Sequence, residues 1–365
     1  MFTFDVAPEA LFTERSRQFT ALGIPRRTVA RVRHGVRDMW DMNDGGWVPV
    51  WAREAERAGA AGRPLLASLC WGAARFPALA DAGRRFAYEQ QLEWYLAAAP
   101  DFPVRFHRQV HDVPTPLHLF RRRVAPRPGV IVLSGGVDTW KMDLHRLAVA
   151  TALATGMLVV AMDMPGTGES PVRLTPAGDR TYAEVVTVLR RRYGTPVGLI
   201  GLSFGALWAV KLALLGEVDA AVAIGAPTGA AGEPVDPLSL PYGMAGIVGN
   251  ALGLDALPSP EEAAALYEQF SLREQGLLDR PGETPLLAVN GDRDQYVPLG
   301  DTTCLARRPA TTVWVVRGGT HCAPEHFPQV ALGMWGWLTA RLHPTLASRP
   351  AEHFLRLPVR PVLAA

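Results

Sequence analysis

A serine, an aspartate and a histidine each follow an apolar segment of this sequence, and together they could perform nucleophilic chemistry. The serine is Ser203, within the pattern Gly-x-Ser-x-Gly over 201–205, which follows the apolar run 197–200 and precedes a helical segment. Strand, tight turn and helix in this order are typical of a nucleophile elbow, where the glycines prevent clashes around a strained serine. Ser203 is therefore predicted to attack an acyl carbonyl carbon.

The partners that such a serine needs follow it in the chain. Asp294 comes after the apolar run 286–290, and His321 comes after the apolar run 312–316. The order serine, aspartate, histidine predicts that His321 takes the serine proton while Asp294 orients the imidazole. Asp292 is the alternative acid, although its position directly after the strand favours a role in capping the turn. His326 is the alternative histidine, and its proline-flanked segment favours a surface or packing role.

An oxyanion in this chemistry needs two backbone N–H donors. One is expected from Phe204, the residue after the nucleophile. The other is expected from the loop 134–138 after the apolar run 130–133, where two glycines let the backbone approach a substrate closely. Gly136 and Val137 are both candidates, because the donor depends on the geometry of the loop.

Buried strands separated by helices are expected to carry these loops. After an alternating antiparallel pair, 104–110 and 117–121, the apolar runs come at 130–133, 157–161, 197–200, 220–224, 286–290 and 312–316. Apolar runs that alternate with helical segments predict a mostly parallel sheet, so the fold class is α/β. In open sheets of this kind, catalytic groups lie beyond the carboxyl ends of the strands.

The chain is predicted to have two domains and a tail. Residues 1–103 show helical periodicity and form a helical N-terminal cap domain, and residues 104–345 form the core. A segment at about 227–280 interrupts the alternation of strands and helices, and it is interpreted as a lid insertion. Residues 346–365 are a proline-rich C-terminal tail. Four tryptophans of the first segment either line a substrate pocket or pack between helices: Trp40, Trp47, Trp51 and Trp71.

The composition is that of an ordinary globular protein. Of the 365 residues, 48% are hydrophobic and 20% are charged, and the 37 basic and 35 acidic residues are interspersed. Nucleic-acid binding is therefore not indicated, and no apolar stretch is long enough to span a bilayer. The three cysteines are too few and too scattered for a disulfide framework, so we expect a cytoplasmic protein. The histidines show no metal-binding spacing, and neither a metal nor a cofactor is predicted. Cys322, beside His321, is expected to be a packing residue rather than a nucleophile.

Four segments resemble the FrsA-like branch of the α/β-hydrolases, which includes esterase-like bacterial proteins, C–C bond hydrolases and hydrolases that shorten polyketides. These segments are 134–141, 163–170, 201–205 and 224–227, and the likeness covers roughly 104–342. The resemblance implies the α/β-hydrolase fold, the triad Ser203, Asp294 and His321, and often a homodimer. The helical segment before Val104 also resembles the cap of that branch.

The leading hypothesis is a serine hydrolase that cleaves an ester, a thioester or a C–C bond of a ketone or polyketide-like small molecule through an acyl-enzyme. Two alternatives remain open. An acyltransferase or cyclase would use the same triad with an acceptor other than water. A non-catalytic binding protein would keep the fold without the activity.

Overall fold

A computed structural model describes residues 2–230, 235–280 and 282–343, together with the backbone of 359–361. The predicted boundary between core and tail, at 345–346, lies outside the described residues. Of the predicted tail, residues 359–361 form a short strand and the others lie outside the description. No helix within the described parts of the chain is long and apolar enough to cross a membrane.

The N-terminal segment consists of helices and short loops, as its periodicity predicts. The helices are α1 (Pro8–Leu22), α2 (Arg26–Gly35), α3 (Trp47–Ala60), α4 (Pro64–Arg75) and α5 (Ala82–Ala98). Prolines stand in the first turns of α1 and α4, where the missing N–H costs nothing. The Asp81 side chain caps α5 by accepting from the Arg84 N–H at 2.8 Å.

The tryptophans of this segment are explained by packing between the helices. Trp47 and Trp51 are fully buried, and their rings lie 6.1 Å apart in a cluster with Phe19 and Phe76. The indole N–H of Trp47 donates to the backbone oxygen of Ala73 at 2.7 Å, so its polar atom is satisfied.

The core is a mostly parallel sheet flanked by helices. Its strands are β1 (Arg105–Gln109), β2 (Leu117–Arg121), β3 (Val130–Ser134), β4 (Leu158–Met162), β5 (Val197–Leu202), β6 (Ala220–Ile224), β7 (Leu286–Gly291), β8 (Thr311–Val316) and β9 (Val359–Pro361), in the spatial order β1-β2-β4-β3-β5-β6-β7-β8-β9. Strands β3 to β8 pair in parallel, whereas β1, β2 and β9 are antiparallel to their neighbours. The α/β class and the strand positions predicted from the apolar runs are therefore confirmed.

Helices cover both faces of this sheet. They are α6 (His145–Thr155), α7 (Asp179–Tyr193), α8 (Phe204–Leu215), α11 (Leu299–Thr303) and α12 (Phe327–Leu342). Alternate residues of the central strands point to opposite faces, so Ile200 belongs to one apolar cluster and Leu199 to the other. The loops that follow β3, β5, β7 and β8 lie at the carboxyl edge of the parallel sheet.

The insertion between β6 and β7 contains the helices α9 (Met244–Leu252) and α10 (Pro260–Phe270). Ser259 and Glu262 form a capping box that starts α10. The first residues of the chain pack on α9, where the Phe4 ring is so close to Gly246 that an added Cβ would lie 2.1 Å from it. The Asn250 side chain also exchanges two hydrogen bonds with the Phe2 backbone, at 3.0 and 2.9 Å. The N-terminus therefore helps to hold the insertion in place.

Candidate active site

Ser203 lies at the sharp turn between β5 and α8. Its φ is +54° and its ψ is −127°, a backbone conformation that residues other than glycine rarely adopt. Gly201 and Gly205 permit this turn, because a Cβ on Gly201 would lie 2.2 Å from the Gly205 backbone oxygen and one on Gly205 would lie 2.2 Å from that of Gly135. The sequence thus folds locally into an elbow that presents the serine hydroxyl at the edge of the sheet.

His321 and Asp294 complete a continuous chain of hydrogen bonds with this hydroxyl. The Nε2 atom of His321 lies 2.9 Å from Ser203 Oγ, and its Nδ1 atom lies 2.7 Å from Asp294 Oδ2. His321 is brought there by the loop after β8, and Asp294 by the loop after β7. The imidazole is in position to take the serine proton on one side while the carboxylate fixes its orientation on the other.

The Asp294 carboxylate is held by several donors besides His321. It accepts from the side-chain amide of Asn290 at 2.7 Å, from the Tyr296 N–H at 2.7 Å and from the Val297 N–H at 3.1 Å. Burial alone raises the pKa of Asp294, but these bonds and the His321 contact outweigh it and hold the pKa below its ordinary value. Asp294 is therefore ionised at neutral pH.

His321 experiences opposing influences on its protonation. Burial alone lowers the pKa of its imidazole, whereas the Cys322 sulfur and the Asp294 carboxylate favour the charged form and raise the pKa well above its ordinary value. The surroundings therefore stabilise the imidazolium, the state that His321 would enter on accepting a proton.

The loop after β3 lies directly against the serine. A Cβ on Gly136 would come within 2.8 Å of Ser203 Cβ, 3.0 Å of Ser203 Oγ and 3.5 Å of the Phe204 nitrogen. Glycine thus leaves open the space between the serine hydroxyl and the Phe204 N–H. Because Phe204 begins α8, its N–H is among those that have no acceptor within the helix. Val137 is buried and lines the pocket over Ser203.

The alternative residues lie in other roles. Asp292 accepts from the Gly318 N–H at 2.7 Å and so joins the loops after β7 and β8. His326 lies at the N-cap position of α12 without a capping bond from its side chain, and its backbone N–H donates to the Ala323 backbone oxygen at 3.1 Å. The Cys322 thiol faces the Ile224 backbone oxygen at 3.3 Å. The structure therefore brings Asp294 and His321, and not Asp292 or His326, to Ser203.

A pocket opens over Ser203 and His321, with a volume of about 1070 Å³ that includes its open mouth. Most of its walls come from the insertion, and these side chains are largely aliphatic or aromatic: Leu238, Leu240, Met244, Val248, Leu252, Leu266, Tyr267 and Phe270. The described residues that line it all lie at or after Val137 in the chain. Of the two alternatives for Trp40, Trp47, Trp51 and Trp71, the lining of this pocket is therefore wrong.

Among the described residues, no group of three or more His, Cys, Asp or Glu side chains is placed to hold a metal ion.

The family model of FrsA-like esterases matches residues 87–315, which is more than half of the chain. The chain belongs to the FrsA-like esterase family. The match contains Ser203, Asp294 and the pocket insertion, while α1 precedes it and His321 follows it. As a member of this family, the chain is a hydrolase of the α/β-hydrolase type.

Relatives in this FrsA-like family are similar over most of their length. Esterase FrsA of Vibrio parahaemolyticus serotype O3:K6 is 23% identical over 319 residues, which cover 78% of this chain and 75% of that protein. Esterase FrsA of Vibrio vulnificus strain YJ016 is 28% identical over 298 residues, which cover 72% and 69%.

Solved structures show the same fold. The structure of AbyA5 wild type superposes with a TM-score of 0.76 at 18% identity, covering 93% of this chain and 99% of that one. The 2,6-dihydroxy-pseudo-oxynicotine hydrolase superposes with a TM-score of 0.68 at 23% identity, covering 90% and 95%. Both likenesses cover nine tenths or more of this chain, so they reach beyond the sheet into the N-terminal helices.

Sequence reasoning missed the residues of α1 that contact the catalytic loops. Arg15 is buried and lies four residues after Leu11 and four before Phe19, so it stands on the buried face of its helix. A charged residue in the middle of an apolar helix face is the signal that could have identified it, because such residues are seldom buried without a partner.

Proposed function

We propose that this FrsA-like protein is a serine hydrolase in which Ser203 is the nucleophile, His321 the general base and then acid, and Asp294 the orienting carboxylate. The observation that carries the proposal is the continuous contact from Ser203 Oγ through His321 to Asp294, at 2.9 and 2.7 Å. The strained elbow supports it, since strain at a single non-glycine residue is characteristic of functional sites.

In the proposed reaction, Ser203 Oγ attacks the carbonyl carbon of the substrate while its proton passes to His321 Nε2. The tetrahedral intermediate collapses, the bond to the leaving group breaks, and His321 returns the proton to that group. The product of this half-reaction is an acyl-enzyme on Ser203. Water, deprotonated by His321, then attacks the acyl carbon. The bond from the acyl carbon to Ser203 Oγ breaks, His321 returns the proton to Oγ, and the acid and the free serine are released.

The negative oxygen of each tetrahedral intermediate is proposed to occupy the open space beside Gly136. The Phe204 N–H borders this space, and the loop containing Gly136 and Val137 is proposed to supply the second donor. Fixed backbone donors need no reorganisation as charge develops on the oxygen, so they lower the barrier more than mobile water does.

The walls of the pocket favour an uncharged acyl group. Val248, Leu252 and Leu266 present methyl groups to the pocket, and burying each methylene of a substrate is favourable by about 0.8 kcal/mol. We therefore propose that the substrate is an ester or thioester with an apolar acyl chain, which lies under the insertion while its carbonyl group lies at Ser203.

A fluorophosphonate probe tests the nucleophile. We expect the probe to label the wild-type protein and to leave Ser203→Ala unlabelled, with Ser170→Ala as a matched control that is labelled like the wild type. Failure of the well-folded wild-type protein to react would contradict the proposal and favour a non-catalytic binding protein.

Acyl transfer or cyclisation is a second candidate, favoured by the apolar walls. Exclusion of water from an acyl-enzyme would allow another acceptor to attack it. Cleavage of a ketone C–C bond is a further variant in which the same serine attacks the ketone and a stabilised carbanion leaves. Turnover in ¹⁸O-labelled water distinguishes transfer from hydrolysis. Hydrolysis places the label in the acid product, also after C–C bond cleavage, while transfer leaves the product unlabelled.

The domain division at 103–104 and the homodimer stay predictions. Sedimentation velocity of the full chain tests the dimer, which requires a species of about twice the chain mass of 39.5 kDa.

A further inference from the structure

Helix α1 contributes two adjacent charged residues to the interior of the protein. The side chains of Glu14 and Arg15 are only 11% and 10% exposed, and they pair with each other, with Arg15 Nε 2.5 Å from Glu14 Oε2. Charges are rarely buried unless they are paired, because removing them from water is costly. Each of the two also has a partner outside the helix, and these outside partners indicate what the helix holds.

The partner of Arg15 lies in the loop proposed to stabilise the oxyanion. Arg15 Nη2 lies 2.8 Å from Asp138 Oδ2, and the Asp138 side chain is itself only 8% exposed. Asp138 directly follows Val137. A second contact runs parallel to this one, since the Gln18 amide donates to Thr139 Oγ1 at 2.6 Å and accepts from Arg15 Nη1 at 2.6 Å. Two neighbouring residues of the loop are thus attached to α1.

The partner of Glu14 lies on the other side of the site. The Tyr296 hydroxyl donates to Glu14 Oε1, and the Tyr296 ring meets the His321 ring edge to face with the centroids 5.1 Å apart. The Tyr296 N–H also donates to Asp294 at 2.7 Å. Glu14 therefore holds a residue that contacts both the base and its orienting acid.

We propose that Glu14 and Arg15 are positioning residues, which fix the oxyanion loop and the Tyr296–His321 pair relative to each other through one rigid helix. The proposal rests on the proposed function, because it assigns both loops to the reaction of Ser203. An α-helix is a rigid element, and adjacent residues on it keep their two partners at a constant separation. Helix α1 therefore affects the rate of the reaction by positioning the loops around Ser203, while the insertion binds the substrate.

Kinetics of full-length Arg15 variants test this role with a p-nitrophenyl acyl ester as substrate. We expect Arg15→Gln to lower kcat about 10- to 100-fold with little change in KM, since a displacement of about 1 Å in a catalytic group can cost 10²-fold. Asp138→Asn is expected to give a similar loss, and the double variant no further loss, because the two residues act as one pair. Arg15→Lys keeps the charge but not the two-pronged geometry, so it should restore part of kcat.

The matched control is Glu9→Gln. Glu9 also belongs to α1, and this change removes a surface ion pair with Arg33 of α2. The kcat of this variant should equal that of the wild type. If Arg15→Gln folds poorly, Gln18→Ala removes the parallel contact without leaving a buried charge, and it should lower kcat severalfold at an unchanged midpoint of thermal unfolding.

Two results would overturn the proposal. One is a wild-type kcat in folded Arg15→Gln or Gln18→Ala, and the other is fully additive losses for Arg15→Gln and Asp138→Asn. Fluorophosphonate labelling of the wild-type protein distinguishes failure of this proposal from failure of the proposed function. If Ser203 is labelled but the Arg15 and Gln18 variants keep the wild-type kcat, only the positioning role is contradicted.

Discussion

Ser203 lies between two regions of opposite character. On one side the insertion forms a wall of aliphatic and aromatic side chains, including Val248 and Leu266. On the other side helix α1 presents Glu14 and Arg15, which are buried and paired with polar partners in the catalytic loops. The apolar wall has little directional preference, whereas the charged pairs fix distances and angles.

This difference suggests a division of work. Apolar contacts depend mainly on buried area, so the insertion is suited to choosing the length and shape of an acyl group. Paired charges in a buried setting depend steeply on geometry, so α1 is suited to holding catalytic groups at fixed positions. Changes in the insertion should therefore alter substrate preference, and changes in α1 should alter the rate for every substrate.

The largest effect is expected where the two regions meet, in the loop after β7. This loop supplies Tyr296 to α1, Val297 to the pocket and Asp294 to His321. Asp294→Asn should lower kcat by about 10⁴-fold, because an amide stabilises the wrong tautomer of the histidine. Asp292→Asn, the matched control, should cost less than about 10-fold, since it weakens one hydrogen bond to Gly318. Equal losses in steady-state kinetics would remove the assignment of Asp294.

A double variant that combines one change in the insertion with one change in α1 tests whether the two regions have separate roles. Val248→Phe narrows the pocket, and we expect it to reduce kcat/KM for long acyl esters by about 4-fold for each methylene excluded, while short esters are unaffected. Arg15→Gln should lower kcat equally for all chain lengths. Because the two residues share no partner, the double variant should show the sum of the two free-energy changes. A chain-length preference altered by Arg15→Gln would contradict this division of roles between the insertion and α1.

The smallest effect concerns the pH dependence of the base. His321 must be neutral to accept the Ser203 proton. Because the pKa of His321 is raised, the rise of kcat/KM with pH should occur at a higher pH than it would for an ordinary imidazole. The pH profile of kcat/KM measures the position of this rise, and a rise at or below the pH expected for an ordinary imidazole would contradict this account of His321.

The sheet and the elbow could be predicted from sequence because local patterns determine them. The apolar runs match β3 to β8, and the glycines at 201 and 205 have the steric role that the motif implies. The choice between Asp292 and Asp294 rested on motif position alone. The structure shows the physical difference between them. The Asp294 carboxylate contacts Nδ1 of His321, whereas the Asp292 carboxylate accepts a hydrogen bond from the Gly318 N–H in the loop after β8.

The pocket and the α1 contacts could not be derived in the same way, because they depend on residues far apart in the chain. Glu14 and Tyr296 are 282 positions apart, and nothing near either residue indicates the other. Helix α9 was also missed, since the glycines at 243, 246 and 249 resemble loop residues until Phe2 and Phe4 are seen to pack against them. Contacts between side chains that are far apart in the chain are therefore hard to predict from the local sequence pattern.

In the proposed reaction Ser203 becomes acylated during turnover. Rapid acid quenching during the reaction with a p-nitrophenyl acyl ester, followed by peptide mass mapping, tests this step. We expect a burst of p-nitrophenol of about one equivalent when deacylation is slow, and an acyl group on the peptide that contains Ser203, with both absent in Ser203→Ala. Turnover that leaves this peptide unmodified at every quench time, or that persists undiminished in Ser203→Ala, would contradict acylation of Ser203.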